Sequence, residues 1–319
     1  MKTLSLLLSF VLSSILVMGQ SAEETLLLRN PSVSNSQVAF AYAGDIWTAD
    51  RDGTNPQRLT VHKGIETHPV FSPDGKWIAF SGNYEGNTDV YVVSANGGMP
   101  QRLTFHPYPD VVRGWTPEGK VLFSSARESF STRFTKLFTV PRNGGLPTSL
   151  PIPEGHQGSI SPNGSFTAYI KNPDPNEGMG TYRPFKHYRG GNTPKIWIFN
   201  NETYEITEVP PEGSNNTHPV WAGSEDIYFL SDRQGTRNIF HYNLNTKEVQ
   251  QVTDFEKYPV KNLSSDGETL AFEQEGRVHL YDLANQTEKP LHISLNPDIP
   301  YKRPHFAEGK KYIRHFALS

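Results

Sequence analysis

The sequence predicts an all-β fold, a six-bladed β-propeller made of four-stranded antiparallel blades. Three observations support this prediction: a turn motif that recurs at a blade-length period, short β-branched and aromatic runs between the turns, and an abundance of Gly and Pro. The 319-residue chain has 26 Gly and 25 Pro and is 12% aromatic, a balance that favours short strands and turns over helices. A blade cannot bury both of its faces alone, so the ring must close for a core to form.

The clearest copy of the repeat runs from His68 to Thr104. Its turn, Ser72–Gly75, combines a proline that presets φ, an aspartate that can bond the local backbone and a glycine that tolerates positive φ. The runs at 77–80 and 90–93 are β-branched and aromatic, as is typical of packed strands. A second turn at 96–98 then leads into a short outer strand. The unit therefore predicts one four-stranded blade.

Six copies of this unit can be counted between about residue 26 and residue 293. Most are spaced close to the period of roughly 40–45 residues that a four-stranded blade requires. An irregular β-sandwich is the alternative, but a sandwich does not require the same turn at a blade-length period. The predicted second strands are Val38–Phe40, Trp77–Phe80, Val121–Phe123, Phe166–Ile170, Ile227–Phe229 and Thr269–Phe272.

Each sequence repeat starts and ends at a blade boundary, so the ring can close without a strand taken from the other end of the chain. Only Leu26–Leu28 could supply a strand borrowed from the far end of the chain. We therefore expect weak or absent strand exchange at closure. A strand near the N-terminus that joined the sheet of the last blade would contradict this expectation.

The two ends of the chain differ from the repeat. Residues 1–19 have the pattern of a secretory signal peptide, with a positively charged start, an apolar stretch from Leu4 to Val17 and a permissive cleavage site. A membrane anchor is the alternative, but the stretch is shorter than the roughly 20 residues needed to span a bilayer. We expect an exported protein, periplasmic or secreted, without membrane contact after cleavage. The propeller is predicted at 20–295, and 296–319 is predicted to be a linker and the first strand of a second propeller.

Composition and motifs exclude several function classes. The chain has no Cys, which excludes disulfides, thiolate catalysis and zinc–thiolate sites. Its net charge of −3 gives no reason to expect a nucleic-acid partner. The sequence lacks a G-x-S-x-G elbow, an H-E-x-x-H pair and a Gly-rich phosphate loop. It therefore predicts no catalytic residue, no metal site and no cofactor.

Two histidines recur with the repeat. His68 and His218 both stand immediately before a Pro-Val pair, and this shared position indicates a structural role in the blade. Asp74 and Asp266 recur in the same way and are interpreted as turn residues.

The fourth unit contains a long basic and aromatic loop at 172–194. Long loops on rigid scaffolds often carry binding function, so one hypothesis is contact with peptide carboxylates or a neighbouring domain. The other is a variable, solvated loop. The candidate contact residues are Lys186, His187, Tyr188, Arg189, Gly190 and Gly191.

The third unit contains a smaller departure at 124–136. Its Arg127 and Arg133 are further candidates for peptide or domain contact, although a longer hairpin is the simpler interpretation.

The repeat resembles the one shared by the tricorn protease family and the Tol-system propeller proteins. Ala43–Trp47 resembles the opening Gly-Asp-Leu-Trp motif of tricorn. His187–Gly191, followed by Lys195–Ile198, resembles its long fourth-blade loop, and Tyr258–Gly267 resembles its sixth blade. The resemblance implies a non-catalytic propeller that gates or routes peptides for a serine-peptidase core. The implied partners are peptides or unfolded polypeptides, the missing second propeller, PDZ and peptidase domains, and other copies of the chain.

Two other functions stay open at this point. The first is a stand-alone, Tol-like periplasmic propeller that acts as a protein-interaction scaffold. The second is an autonomous enzyme, which is disfavoured because no nucleophile–base arrangement is recognisable.

Overall fold

The computed structural model describes residues 23–173, 189–298, 304 and 306–313. These residues form six four-stranded sheets, each composed of strands that are consecutive in the sequence and paired antiparallel. The predicted six-bladed propeller is therefore confirmed. The signal-peptide prediction at 1–19 lies outside the described residues. In the C-terminal region, Gly309–Tyr312 forms a 3-10 helix, and most of the predicted extra strand at 312–319 also lies outside the described residues.

The strands are numbered in chain order, four to a blade. Blade 1 has β1 (Arg29–Val33), β2 (Gln37–Tyr42), β3 (Asp45–Asp50) and β4 (Gln57–Arg58). Blade 2 has β5 (Ile65–Phe71), β6 (Trp77–Asn83), β7 (Thr88–Ser94) and β8 (Gln101–Arg102). Blade 3 has β9 (Asp110–Trp115), β10 (Lys120–Ser125), β11 (Lys136–Pro141) and β12 (Thr148–Ser149). Blade 4 has β13 (Gln157–Ile160), β14 (Phe166–Ile170), β15 (Ile196–Asn200) and β16 (Ile206–Glu208). Blade 5 has β17 (Asn216–Trp221), β18 (Asp226–Ser231), β19 (Asn238–Asn243) and β20 (Val249–Gln251). Blade 6 has β21 (Lys261–Ser265), β22 (Thr269–Gln274), β23 (Arg277–Asp282) and β24 (Thr287–Pro290).

The predicted turn chemistry is present in blade 2. The Ser72 hydroxyl donates to Asp74 Oδ1 at 2.5 Å, and the same carboxylate accepts the Lys76 amide at 3.1 Å. Gly75 has a φ of 68°, a conformation that favours glycine because it has no Cβ. The Ser72 hydrogen bond and the Lys76 amide hold the pKa of Asp74 below its ordinary value. Asp74 is therefore a turn residue, as interpreted from the repeat.

The outer part of the repeat is held by a second set of contacts. In blade 2, the Thr104 hydroxyl accepts the Val90 amide at 3.0 Å, and Arg102 pairs with Asp89 at 2.7 Å. Blade 1 repeats the pair, with Arg58 at 2.6 Å from Asp45. These contacts explain why Arg-Leu-Thr recurs at the end of the unit.

The core lies between the blades. Each pair of neighbouring blades shares one apolar cluster, and the second strand of every blade buries one large aromatic ring in such a cluster. These rings belong to Phe40, Phe80, Phe123, Tyr169, Phe229 and Phe272, all fully buried. Contacts between the inner strands run in order around the ring, from β1 through β5, β9, β13, β17 and β21 back to β1. In the described part of the chain, no helix is long and apolar enough to cross a membrane.

The ring closes without strand exchange, as predicted. Blade 1 consists of β1–β4 and blade 6 of β21–β24, each from one continuous stretch of chain. The segment before β1 nevertheless crosses onto blade 6 as an irregular clasp. The Thr25 amide donates to Ile293 O at 2.8 Å, the Leu27 amide donates to Gly276 O at 2.7 Å, and Glu24 pairs with Arg277 at 2.8 Å.

Candidate functional site

The strand directions give the ring two distinct faces. The first strand of each blade runs towards the tight turns such as Ser72–Gly75, and we call that side the turn face. The opposite side holds the connections between blades and the loops between second and third strands, and we call it the loop face. The segment at 126–135 belongs to the loop face, as do the described ends of the connection between β14 and β15, at 171–173 and 189–195.

A central cavity opens at the turn face. It has a volume of about 820 Å³ and is lined by the inner strands of all six blades. Turn residues such as Ser72–Lys76 and Ser264–Gly267 form its rim. The cavity is therefore one end of the propeller channel.

Polar side chains from each blade line the cavity at one level, and we call this set the polar ring. Its members are Asn30, His68, Arg113, Gln157, His218 and Asn262. In blades 1, 2, 3, 5 and 6 the residue lies at a break in the strand register. Such bulges re-aim a side chain and are common next to functional sites.

Four residues of the polar ring adopt a backbone conformation that is uncommon outside glycine. They are Asn30 (φ 49°), His68 (53°), His218 (54°) and Asn262 (46°). The recurring histidines are thus explained by a shared bulge. Because blades 2 and 5 are opposite each other in a six-membered ring, the bulge also places His68 and His218 on opposite sides of the channel.

Neighbouring side chains fix the polar ring. Gln157 Oε1 accepts the His218 amide at 2.8 Å, which joins blade 4 to blade 5. Glu273 Oε1 accepts the Asn30 amide at 2.6 Å and the Asn262 side-chain amide at 2.5 Å, which joins blade 6 to blade 1. The ring is therefore a set of oriented hydrogen-bonding groups.

The predicted contact residues of the long loop lie on the loop face where they are described. Arg189 Nη1 donates to Asp232 at 2.9 Å, which ties the end of the loop to blade 5. Gly190 and Gly191 are exposed. Lys186, His187 and Tyr188 lie outside the described residues, so the contact role of the whole set stays a prediction.

The two candidates in blade 3 differ in their surroundings. Arg127 is almost fully buried, pairs with Asp110 and lies over the rings of Phe123 and Phe138 at 5.1 and 5.4 Å. Arg133 is exposed on the loop face. The structure thus gives Arg127 a partner inside the blade and leaves Arg133 accessible.

Sequence reasoning missed a repeated polar position at the start of the inner strand. Glu66, Asp110 and Asn216 are each fully buried there. Each binds a residue that follows the second strand of its own blade, namely Tyr84, Arg127 and Arg233 respectively. For the arginine partners in blades 3 and 5, the sequence does contain a signal, because 123–127 and 229–233 share the spacing Phe-x-Ser-x-Arg.

Glu66 is a buried acid at the interface between blades 1 and 2. Burial raises its pKa, although hydrogen bonds from Thr60, Tyr84 and the Ile46 amide act in the lowering direction. The ordinary pKa of a glutamate is 4.5, and the folded chain therefore holds the Glu66 proton more tightly than the unfolded chain does. The stability contributed by neutral Glu66 is fully present below that value and is lost as the pH rises through the folded-state pKa.

Replacing Glu66 by Gln should remove this pH dependence. From about pH 4 to about pH 8, we expect the free energy of unfolding of Glu66→Gln to rise relative to that of the parent chain. Urea unfolding at both pH values measures the difference. Glu85→Gln is the control, because Glu85 is exposed beside Arg102 and its difference from the parent should stay nearly constant. A constant difference for Glu66→Gln would contradict the prediction.

The closed ring and its lined channel define a six-bladed propeller scaffold with a central candidate site. The described residues hold no group of three or more His, Asp or Glu arranged to bind a metal. The family model of the tricorn protease N-terminal β-propeller domain matches residues 25–287. The chain therefore belongs to the tricorn N-terminal propeller family.

Individual relatives agree with this assignment. The tricorn protease homolog of Saccharolobus solfataricus is 27% identical over 295 residues, which cover 91% of this chain and 26% of that protein. The Tol-Pal system protein TolB of Desulfosudis oleivorans is 36% identical over 70 residues, or 21% of this chain and 16% of that protein. A crystal structure of the tricorn protease superposes with a TM-score of 0.74 at 22% identity, over 86% of this chain and 27% of that one. The chain thus spans about a quarter of the length of the tricorn relatives that it matches.

Proposed function

We propose that this chain is the non-catalytic propeller domain of an exported, tricorn-like serine protease, and that it gates or routes peptides to a peptidase core outside these residues. The observation that carries the proposal is the family match, which covers the ring almost from end to end. The relatives are proteases about four times as long as the matched region, which supports a division of labour between propeller and peptidase.

The polar ring supports the peptide-handling part of the proposal. The amide side chains of Asn30, Gln157 and Asn262 both donate and accept hydrogen bonds, as the backbone of an extended peptide does. Because backbone groups are the same in every sequence, such a ring would bind many peptides without strong side-chain preference. Weak, sequence-tolerant binding is what a routing channel requires.

The loop face supports contact with a neighbouring domain or with peptide. Large apolar side chains are exposed there on several connections, among them Val61, Phe105 and Phe130, each at least 73% exposed. Met99 and Leu146, between third and fourth strands, are exposed on the turn face as well. Exposed apolar groups on adjacent connections can form an interaction surface. We therefore propose that this face contacts a neighbouring domain or peptide, and that Arg133, Arg189 and the predicted loop residues take part in the contact.

Export is the part of the proposal that depends on residues 1–19. Expression of the full chain in a secreting host, followed by mass spectrometry of the mature N-terminus, tests it. Cleavage near Gln20 is expected, and retention of the intact leader in the cytoplasm would contradict it.

Peptide binding without cleavage tests the central claim. The purified chain is incubated with short, unstructured, fluorescently labelled peptides, and binding is followed by anisotropy while mass spectrometry checks the peptides for cleavage. We expect reversible binding and intact peptides. Reproducible hydrolysis would overturn the non-catalytic assignment, and a failure to bind any peptide would overturn the routing role.

A second candidate function is a Tol-like scaffold for folded protein partners. The observation that favours it is the short stretch of similarity to TolB. Capture of a folded partner by a chain that binds no unstructured peptide would favour the scaffold over the routing domain.

A further inference from the structure

We infer that a pocket on the turn face, between blades 2 and 3, binds a carboxylate carried on an apolar group, and that Arg142 holds this carboxylate. The inference goes beyond the proposed function, because the pocket lies beside the channel and does not depend on peptide routing. It follows from a comparison of two equivalent positions in the repeat.

The pocket has a volume of about 230 Å³ and lies between the tight turns of blades 2 and 3. Two prolines, two tryptophans and one arginine give it an apolar wall with a single cation. They are Pro73, Trp77, Trp115, Pro117 and Arg142. Trp115 is 8% exposed, and its Nε1 donates to Val70 O of blade 2 at 2.9 Å. This bond between the blades fixes the apolar wall before any ligand binds.

Arg142 has a counterpart in blade 1. Arg51 and Arg142 each directly follow the third strand of their blade, and each lies against the tight turn of the preceding blade in the ring. For Arg51 the preceding blade is blade 6. Its Nη1 donates to Asp266 of that turn at 2.9 Å, and its Nη2 donates to Thr269 Oγ1. An arginine at this position of the repeat can therefore bind a carboxylate.

The turn of blade 2 does not supply that carboxylate to Arg142. Asp74 and Trp77 occupy the positions that Asp266 and Thr269 have in blade 6. Arg142 lies over the Trp77 ring at 4.3 Å, and among the described residues it has no hydrogen-bond acceptor and no acid within 4.0 Å. A bulky indole thus takes the place of a small threonine, and the guanidinium stacks on it instead of reaching the turn acid.

The acids beside the pocket do not cancel its positive charge. Asp74 lies near two cations, Lys76 and Arg142, and Glu118 lies near Lys120. Three cations and two acids are therefore located at or beside the pocket, which favours an anionic ligand.

Stacking on Trp77 presents the guanidinium to a ligand. Arginine stacks readily on aromatic faces and keeps a planar fork of donors that can bind both oxygens of a carboxylate. An apolar group attached to that carboxylate would pack against the tryptophans and prolines and leave water. Within a peptide, the carboxylate can come from the C-terminus after an apolar residue or from an acidic side chain beside one.

The first test uses two small compounds that differ in charge alone, 3-phenylpropionate and 3-phenylpropanamide. Each is titrated into the purified chain at low salt and followed by ligand-observed NMR. The carboxylate should bind roughly tenfold more tightly than the amide, because charge-assisted hydrogen bonds are the stronger ones. Arg142→Gln should abolish this preference and leave the affinity for the amide nearly unchanged. Equal affinities in the parent chain would overturn the inference and leave the proposed routing role standing.

Two further variants locate the site. Arg133→Gln makes the same charge change at an exposed residue of the loop face and should retain the preference. Trp77→Thr recreates the residue found in blade 6, so Arg142 should reach Asp74 and the preference should disappear although the charge is unchanged. Circular dichroism and urea unfolding check that Trp77→Thr is folded. A preference that survives in Arg142→Gln or in folded Trp77→Thr, or that is lost in Arg133→Gln, would contradict the assignment.

Three acetylated peptides then distinguish the sources of the carboxylate. All share one neutral sequence that ends in phenylalanine: the first has a free C-terminus, the second is amidated, and the third is amidated with glutamate before the phenylalanine. Tighter binding of the first than of the second identifies peptide C-termini as the ligand, and tighter binding of the third identifies acidic side chains. Either preference should be lost in Arg142→Gln. Equal binding of all three peptides would contradict the inference.

Discussion

Replacing Arg127 by Met is expected to lower the free energy of unfolding by about 3–5 kcal/mol, the usual cost of removing one partner of a buried ion pair. Asp110 is fully buried and Arg127 nearly so, hence the variant would leave a carboxylate in the blade without its cation. Methionine keeps much of the packing over Phe123 and Phe138, so the loss should be mainly electrostatic. Urea unfolding of the purified chain measures it.

The neighbouring Arg133 provides the control. It is exposed, and Arg133→Met should change stability by no more than about 0.5 kcal/mol. The double variant Arg127→Met/Asp110→Asn should recover part of the loss, because it removes the unpaired charge along with the cation. A loss of less than about 1 kcal/mol for Arg127→Met alone would contradict the prediction and show that the ion pair contributes little to stability.

Replacing Leu28 by Ala should open the seam of the ring and cost about 2–5 kcal/mol, as expected for a fully buried leucine. Leu28 is 1% exposed and packs with Leu280, Leu291 and Ile293 of blade 6. It lies in the irregular clasp, so the lost contacts are those that join the two ends of the ring. The midpoint of thermal or urea unfolding reports the change.

The adjacent Leu27 offers a matched comparison within the same clasp. It is 60% exposed, and Leu27→Ala should stay within about 0.5 kcal/mol of the parent chain. Equal effects of the two substitutions would mean that burial at the seam does not control closure, and the clasp would then act through its backbone hydrogen bonds.

The blade count, the turns and the absence of strand exchange could be predicted because their signals are local. The turn at Ser72–Gly75 determines its own geometry within a few residues, and the same chemistry returns once in almost every blade. Period and turn type together are sufficient to count sheets. They also show where each sheet begins and ends.

The partners of the polar side chains could not be predicted in the same way. Arg127 and Asp110 are 17 residues apart, and Arg189 and Asp232 are 43 apart. The first pair depends on which ends of β9 and β10 meet within blade 3, and the second depends on how the end of the blade 4 loop meets blade 5. The bulge at His68 was visible as a recurrence, but the direction in which it turns the side chain was not.

Because every blade is one uninterrupted stretch of chain, the position of the termini is arbitrary with respect to the sheets. Joining residues near Leu295 to residues near Thr25, which already touch, and cutting between any two other blades would give a permuted chain with all six sheets whole. Duplication or deletion of a single gene segment can likewise add or remove a complete blade. A propeller that closes its ring with a strand from the other end of the chain is more restricted, because joining the original termini changes the connection to that shared sheet.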